Sequence, residues 1–475
     1  MKRQINLISS IDWLSVGLYL VLVFFGWLNI FAVNYTMEGD GGFFSLNHRY
    51  TMQMIWIFIS WFIIVLIFVI DSRFFSFIAY PGFGLGIFLL LSVLVLGTTV
   101  NNSKSWIMLG PVGIQPSEFA KIFTILALAK YVSDFNFKIT RFKSVFISLC
   151  IIGLPPVLIM LQPDFGSTIV YGALLLVLYR EGLPGSILLA ILVMVIIFLI
   201  TLMFSQFVVL IILLTSAALI YSFIKRKMKS LIIILLIAIF VGGLFLVLYN
   251  LNFFSGNKYL TLLAISIFAG AIIFIFAFRA RQKDLYMMLL MLVAAIAFTY
   301  SVDYVFHNVM QEHQRNRINV MLGLESDPYG YEYNLRQSKI AIGSGGFAGK
   351  GFMNGTQTKF RFVPEQSTDF IFCTVGEEWG FLGSAGLIIV YIGLFIRLLI
   401  LAERQRAKFS RIYGYGVISV LFFHFAVNLG MTIGLFPVIG IPLPFLSYGG
   451  SSLLAFSIML FIFIRLDASR KTYLL

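Results

Sequence analysis

The sequence predicts an all-α, polytopic transmembrane protein with about fourteen helical spans and one large extracytoplasmic loop. Of its 475 residues, 60% are hydrophobic and 11% are charged, whereas a soluble globular protein has roughly 25% charged residues. Apolar runs long enough to cross a bilayer recur from end to end, which is typical of a multi-span helical protein. The basic residues between these runs also alternate in a way that fits a single membrane topology.

The apolar runs define fourteen candidate spans. They cover residues 13–33, 53–70, 77–97, 117–133, 144–162, 166–180, 185–204, 207–223, 230–249, 260–278, 285–304, 369–401, 411–434 and 447–465. The first run continues directly into the multi-span pattern and has no small-residue cleavage site. It is therefore predicted to be a retained span and not a signal peptide.

The positions of the basic residues predict the orientation of the spans. Cytoplasmic loops carry an excess of Lys and Arg, and alternation from a cytoplasmic N-terminus sends the basic short loops inside. The inner groups are Arg73; Lys138, Arg141 and Lys143; Arg180; Lys225, Arg226, Lys227 and Lys229; Arg279, Arg281 and Lys283; Arg404, Arg406, Lys408 and Arg411; and Arg465, Arg470 and Lys471. Both termini are thus predicted to be cytoplasmic. The net charge of +14 is explained by topology, and no nucleic-acid partner is expected.

The long loop from about residue 305 to residue 367 is basic and glycine-rich although it falls on the outer side. Loops longer than ~60 residues escape the charge rule, so the topology stands. Residues 333–342 predict a short helix on the membrane surface, with Arg336 and Lys339 on its polar face, and the GSGG at 343–346 is expected to end it. The loop is either a solvated surface segment or a site for an anionic ligand such as phosphate.

Carboxylates stand at the junction between this loop and the next apolar run, in the stretch RFVPEQSTDFIFCTVGEEWGFLG at 361–383. Acidic residues near or inside a bilayer are costly and therefore indicate function. Local pattern favours a helix-capping role for Asp369, because Ser367, Thr368 and Asp369 all suit an N-cap. Of Glu377 and Glu378, one is expected to pair with a buried partner.

Three further stretches carry candidate residues. Glu118 and Lys121 share one helix face and form either a structural ion pair or part of a substrate or cation site. Asp164, in an outer turn, either caps the next helix or lines a site. The prolines and glycines at 436–452 exclude a regular helix, which at membrane depth indicates a cavity wall. Cys150 and Cys373 are predicted to be small buried hydrophobes, and no metal-ligand spacing is present.

Four motifs carry a resemblance to a known family. They are NNSKSWIMLGPVGIQPSEFAKI at 101–122, LQPDFGST at 161–168, SKIAIGSGGFAGKGFMNGTQ at 338–357 continuing to VPEQSTDFIFCTVGEEWGFLG at 363–383, and NLGMTIGLFPVIGIPLPFLSYGGSS at 428–452. In this order they resemble the SEDS family of RodA, FtsW and SpoVE, over residues 1–180 and 305–475. The GTQ at 355–357 is more similar to the RodA branch. The resemblance implies a peptidoglycan glycosyltransferase that polymerises lipid II on the outer membrane face, with Asp369 as its essential carboxylate.

The chain departs from the ten-span family pattern between residues 185 and 304. About four extra spans are predicted there, and we interpret them as a lipid-facing accessory module in preference to a transport pathway, because they lack embedded charges. The predicted domains are N-terminal core spans at 1–184, the region with inserted helices at 185–304, the catalytic loop at 305–368 and C-terminal core spans at 369–475.

These observations give a set of expectations about the site. Asp369 is the expected general base, and no protein metal ligand is predicted. The candidate substrate-binding residues are Lys104, Trp106, Glu118, Lys121, Asp164, Arg315, Arg336, Lys339, Lys350, Lys359, Arg361, Glu365, Ser447 and Tyr448. No cofactor is certain, although a divalent cation, Mg²⁺ or Mn²⁺, is an alternative source of charge for the pyrophosphate. The resemblance implies lipid II as the substrate, and a class B penicillin-binding protein and membrane proteins of the elongation complex as partners. The rival functions are a lipid II flippase and a non-enzymatic scaffold for a transpeptidase.

Overall fold

Helices dominate the computed structural model. It describes residues 7–35, 48–100, 103–110, 112–225, 242–248, 250, 258–279, 281–310, 312–324, 333–360 and 362–470. The helices with assigned bounds are α1 Leu7–Ser10, α2 Trp13–Asn34, α3 Arg49–Val69, α4 Ser72–Phe77, α5 Ala79–Leu96, α6 Pro116–Val132, α7 Phe142–Met160, α8 Phe165–Val170, α9 Leu175–Arg180, α10 Gly185–Met203, α11 Gln206–Lys225, α12 Lys258–Arg279, α13 Lys283–Asn308, α14 Glu312–Met321, α15 Tyr333–Ser344, α16 Thr356–Lys359, α17 Ile371–Glu403, α18 Lys408–Ile433 and α19 Gly450–Ala468. A short 3-10 helix, Tyr171–Leu174, joins α8 to α9.

The helix bounds follow the predicted spans closely. Within the described residues, 11 helices are long and apolar enough to cross a membrane, and each coincides with one predicted span. The predicted segments 117–133 and 166–180 correspond to shorter helices, α6 and the stretch Phe165–Arg180. The predicted span 230–249 lies largely outside the described residues. The helical membrane fold is therefore confirmed, and the total of fourteen spans stays a prediction.

A small antiparallel sheet between α5 and α6 was not predicted. Its strands are β1 Thr98–Val100, β2 Ser103–Leu109 and β3 Val112–Ile114, in the order β1-β2-β3. Trp106 pairs with Thr98 on one side of β2, and Ile107 pairs with Ile114 on the other. β1 and β3 have three residues each, too short for an alternating pattern to stand out in the sequence, so β2 has no recognisable partner strand in the hydropathy.

The chain divides into two compact units. One comprises Met1–Pro184 and Ser326–Leu475, and the other comprises Gly185–Glu325. In the first unit, the most apolar windows of α18 and α19 are 72% and 94% buried, so these two helices form its centre. In the second unit, Gln206 Nε2 donates a 2.6 Å hydrogen bond to Asp303 Oδ2 and joins α11 to α13.

Buried ion pairs connect the ends of helices in the first unit. Arg397 Nε donates to Asp12 at 3.1 Å, and Arg404 Nε donates to Asp467 Oδ1 at 2.9 Å. Burial raises the pKa of Asp12, but hydrogen bonds from Arg397 and Ser15 outweigh that effect and lower the pKa to about 2. Asp12 therefore stays ionised at neutral pH and ties α2 to α17.

The two cysteines do not share one environment. Cys373 is buried as predicted, but Cys150 is exposed, so the prediction for Cys150 was wrong. The buried residues of α7 recur every three or four positions, at Ser144, Ser148 and Ile152. Cys150 lies off that buried stripe. The sequence did not reveal this, because a span that is apolar all round gives no signal for which face packs inward.

Candidate active site

Asp369 lies in the turn that leads into α17. The N-cap residue of α17 is Phe370, so Asp369 precedes the cap position and does not occupy it. Its backbone carbonyl accepts a 2.8 Å hydrogen bond from Asn428 Nδ2. A Cβ atom added to Gly440 would lie 3.4 Å from Asp369 Oδ2. The carboxylate therefore borders the irregular segment between α18 and α19 and is partly accessible.

The backbone of residues 439–442, hereafter the 439–442 segment, is contacted by several elements. Asn428 Nδ2 donates to the carbonyl of Ile441 at 2.7 Å. A Cβ atom on Gly166 would lie 2.5 Å from the carbonyl oxygen of Ile439, so the turn after α7 approaches as closely as a glycine allows. The segment thus joins the Asp369 turn to the QPDFGST turn.

The predicted residues Ser447 and Tyr448 do meet the Asp369 turn. Ser447 Oγ donates to the carbonyl of Thr368 at 2.5 Å, and the backbone N–H of Tyr448 donates to the carbonyl of Ser367 at 2.8 Å. The prediction that 436–452 lacks a regular helix is confirmed for residues 436–449 and wrong for 450–452, because α18 ends at Ile433 and α19 begins at Gly450. Two non-helical segments therefore support each other around Asp369.

Arg49 also belongs to this site and was missed in the sequence. Its Nη1 donates to Ser367 Oγ at 2.7 Å and lies 3.7 Å from Glu365 Oε2. Its guanidinium group lies 5.6 Å from the ring centroid of Tyr448. The available signal was a lone arginine that opens an apolar run on the predicted outer side, where basic residues are scarce.

Glu118 and Lys121 form the predicted ion pair, and His424 extends it. Lys121 Nζ donates to Glu118 Oε1 at 2.7 Å, and both side chains are buried. The same ammonium lies 3.0 Å from His424 Nε2. Because a lysine ammonium only donates, Nε2 accepts, and the ring proton is on Nδ1. His424 Nδ1 then donates to the carbonyl of Pro442 at 3.3 Å, which connects the pair to the 439–442 segment.

Asp164 caps the next helix, as one of its two interpretations predicted. It is the N-cap of α8, and its Oδ1 accepts from the backbone N–H of Ser167 at 3.0 Å. Its Oδ2 also accepts from Gln115 Nε2 at 3.1 Å. Asp164 thereby joins the start of α6 to the turn whose Gly166 touches the 439–442 segment.

Glu377 fixes the loop that contains the GTQ motif. Its fully buried carboxylate accepts from Lys350 Nζ at 2.6 Å, from the backbone N–H of Gln357 at 2.8 Å and from that of Thr358 at 2.9 Å. The prediction that one of the two acids has a buried partner is confirmed for Glu377 through Thr358, which is buried, whereas Lys350 is partly exposed. Because Lys350 is engaged by this carboxylate, its contribution to anion binding is weakened.

The glycine-rich loop after α15 packs directly on the backbone of α17. A Cβ on Gly345 would lie 1.9 Å from the carbonyl oxygen of Gly376, so only glycine fits. Gly380 interrupts α17 with φ 61° and ψ −156°. The N–H of Phe381, just after the break, donates instead to the carbonyl of Gly346 at 3.0 Å. The loop therefore satisfies backbone groups that the broken helix releases.

The predicted helix at 333–342 is present as α15, which ends two residues later than expected, at Ser344. Arg336 and Lys339 are exposed, whereas Leu335 and Ala341 are buried. Ser338 Oγ donates to the carbonyl of Thr432 at 2.6 Å, which anchors α15 on α18. The polar face that was predicted from the sequence is therefore confirmed.

Of the remaining candidate residues, Lys104, Trp106 and Lys359 make their observed contacts outside the Asp369 turn. Lys104 Nζ donates to the carbonyl of Leu94 at 2.7 Å, near the end of α5, and Trp106 is part of β2. Lys359 Nζ donates to the carbonyl of Met353 at 3.2 Å. Arg315 lies in α14 of the second unit, and Arg361 lies outside the described residues. Their substrate-binding roles stay predictions.

The donor set for a resident metal ion is missing from the described residues. In that part of the chain, no three His, Cys, Asp or Glu side chains come close enough to hold an ion. Mg²⁺ is usually held by one or two carboxylates together with substrate phosphates and water, so a divalent cation that binds with the substrate stays a prediction.

Comparisons with known proteins decide the family. The FtsW, RodA and SpoVE family model, described as "Cell cycle protein", matches residues 12–245 and 205–472. The chain belongs to this family. The peptidoglycan glycosyltransferase RodA of Treponema pallidum is 30% identical over 95% of this chain and 96% of its own length. The peptidoglycan glycosyltransferase MrdB of Escherichia coli is 44% identical over 34% of this chain and 44% of its own length.

Solved structures share the fold of this SEDS protein. RodA of Thermus thermophilus aligns with a TM-score of 0.55 at 22% identity, covering 97% of each chain. A chain from "Structural coordination of polymerization and crosslinking by a peptidoglycan synthase complex" aligns with a TM-score of 0.62 at 23% identity, covering 97% of this chain and 98% of that one. The family match also enters residues 185–304, so it is broader than the two blocks that the motifs indicated.

Proposed function

We propose that the chain is a peptidoglycan glycosyltransferase that polymerises lipid II into glycan strands during cell-wall elongation. The observation that carries this proposal is the position of Asp369. Its partly accessible carboxylate belongs to the PEQSTDF turn and borders the 439–442 segment, so two of the family motifs meet there. The names of the RodA and MrdB relatives support the reaction class.

The proposed location is the outer face of the bacterial cytoplasmic membrane. Placing both termini in the cytoplasm sends the short basic loops inside and leaves the Asp369 turn outside. At that interface, the lipid tail of the substrate stays in the bilayer while its sugar reaches the carboxylate. A site built on irregular backbone at this depth is tolerated where it lines a cavity.

In the proposed reaction, Asp369 acts as the general base. Its carboxylate takes the proton from the 4-hydroxyl of the GlcNAc unit in an incoming lipid II as that oxygen attacks the anomeric carbon of the MurNAc unit on the growing chain. The new glycosidic C–O bond forms while the C–O bond to the pyrophosphate breaks. Undecaprenyl pyrophosphate leaves from the opposite face with the bonding electron pair, so the configuration inverts.

The leaving pyrophosphate needs positive charge more than a proton. Arg336 and Lys339 are the strongest candidates because their side chains are exposed on α15, and such groups stabilise developing phosphate charge. Lys350 and Lys359 are weaker candidates, because Glu377 and the carbonyl of Met353 engage their ammonium groups. A divalent cation that arrives with the substrate is a further proposed source of charge.

The proposed partners are a class B penicillin-binding protein and membrane proteins of the elongation complex. The structural neighbour in a complex described as coordinating polymerization and crosslinking supports a paired transpeptidase. Such a partner would use the new strand as its substrate.

Purified chain in detergent or in vesicles, supplied with labelled lipid II, tests the proposal. Wild-type protein should form glycan polymer and Asp369→Asn should form none, because an amide cannot accept the proton. Asp134→Asn is the matched control, since it makes the same change at an exposed turn on the predicted inner side. Movement of lipid II between leaflets without polymer would support a flippase, and transpeptidase binding without polymer would support a scaffold. Full activity of Asp369→Asn would exclude Asp369 as the base.

A further inference from the structure

The side-chain amide of Asn428 donates to two backbone carbonyls at once. Its Nδ2 lies 2.8 Å from the carbonyl oxygen of Asp369 and 2.7 Å from that of Ile441. An asparagine amide has two N–H groups, so both are engaged. The residue is 0% exposed, its bond to Ile441 is buried and its bond to Asp369 is partly buried.

The two carbonyls belong to the two segments that meet at the candidate active site. One is the main chain of Asp369, and the other follows Gly440, whose added Cβ would lie 3.4 Å from Asp369 Oδ2. A single rigid amide therefore sets the distance between the carboxylate and the backbone that it faces. Asn428 lies inside α18, one of the two helices at the centre of the first unit. Its side chain therefore holds both segments against a buried helix.

We propose that Asn428 is a positioning residue for Asp369, an inference that rests on the glycosyltransferase function proposed above. It touches the main chain of Asp369 and acts through the placement of the carboxylate. A displacement of about 1 Å in a catalytic group can reduce turnover about 100-fold. Loss of the amide should therefore lower kcat about 10- to 100-fold and change KM for lipid II less than about threefold.

The residue type matters because few side chains can meet two carbonyls at this place. Leucine has a similar size but donates nothing, so both carbonyls would lose the donor that Asn428 supplies. An ionised aspartate has the shape of asparagine but presents only acceptors to both carbonyls. A protonated aspartate recovers one donor, which gives the variant a pH dependence that simple packing does not explain.

The experiment compares purified full-length wild type, Asn428→Asp, Asn428→Leu and Thr432→Val in the lipid II assay. Thr432 is the control because it is buried one turn further along α18, and its hydroxyl donates only to Leu429 within the same helix. Folded protein is quantified by thermal unfolding and size exclusion, and kcat is expressed per folded molecule. Activity ratios to wild type are measured from pH about 8 to about 6.

We expect both Asn428 variants to lose kcat and Thr432→Val to keep a kcat near that of wild type. The activity of Asn428→Asp relative to wild type should rise as the pH falls, whereas that of Asn428→Leu should stay constant. Wild-type kcat per folded molecule in the Asn428 variants would overturn the inference, because Asn428 would then serve folding alone. A change confined to KM would also overturn it. If the wild-type protein forms no polymer, both the proposed function and this inference are wrong. If the wild type and the Asn428 variants are equally active, only the inference about Asn428 is wrong.

Discussion

The ammonium of Lys350 lies 2.6 Å from the carboxylate of Glu377, across 27 residues of sequence. Glu377 is 0% exposed and Lys350 is 26% exposed, so the pair is largely removed from water. The same carboxylate holds the backbone N–H groups of Gln357 and Thr358. One side chain of α17 therefore fixes the GTQ loop on the helix that Asp369 precedes.

Replacing Glu377 with glutamine should destabilise this loop. The substitution removes the charge and turns an accepting oxygen into an amide that faces donors, and hydrogen bonds to charged groups contribute about 1.5–3 kcal/mol each. We expect thermal unfolding at a lower temperature and a reduced rate of polymer formation. Lys350→Met should cost less, because the backbone N–H groups still hold Glu377. Equal stability of Glu377→Gln and wild type would contradict this role for the carboxylate.

The Glu118–Lys121 pair should respond differently to single and double substitution. Removing one partner of a buried pair leaves an uncompensated charge and costs about 3–5 kcal/mol. Glu118→Gln and Lys121→Met should therefore each lower the unfolding temperature strongly, and the double variant should be more stable than the sum of the two losses predicts. Unfolding of all four proteins in the same detergent measures the coupling. Additive effects would show that the two charges do not depend on each other.

Local patterns in the sequence predicted several features of the site correctly. The ion pair between Glu118 and Lys121 follows from their spacing on one helix turn. The cap formed by Asp164 follows from its place after Pro163 at the start of an apolar run. The polar face of α15 follows from the placement of Arg336 and Lys339. Each of these features depends on residues within a few positions of one another.

The features that were missed depend on contacts over long sequence distances. Arg49 donates to Ser367, 318 residues away, and His424 meets Lys121, 303 residues away. In a chain that is apolar on nearly every helix face, an isolated Asn or His in a span gives no indication of which partner it faces. Packing of α18 against α6 brings His424 to Lys121, and no local pattern describes that packing.

Gly440→Ala should reduce activity through the carboxylate of Asp369. Gly440 has φ +71°, and its added Cβ would lie 3.4 Å from Asp369 Oδ2. The methyl group fits without a clash but replaces solvent or substrate beside a charged oxygen. Gly110→Ala is the matched control, because Gly110 has φ +65° and open space around it. Both variants should lose about 1–2 kcal/mol of stability from left-handed backbone strain, and only Gly440→Ala should lose several-fold in kcat. Equal kcat in the two variants would contradict the contact.

Arg49→Lys should lower turnover although it keeps the positive charge. The planar guanidinium of Arg49 donates to Ser367 Oγ while it lies over the ring of Tyr448, and a lysine ammonium does not reproduce this geometry. The ion pair with Glu365 is too exposed to contribute much stability. We therefore expect a several-fold loss of kcat with an unfolding temperature close to that of wild type. Arg406→Lys, in an exposed inner loop, controls for the substitution itself. If Arg49→Met were impaired and Arg49→Lys fully active, the positive charge alone would explain the contribution of Arg49 to turnover. Arg49 would then be interpreted as a contact for the pyrophosphate and not as a support for the Asp369 turn.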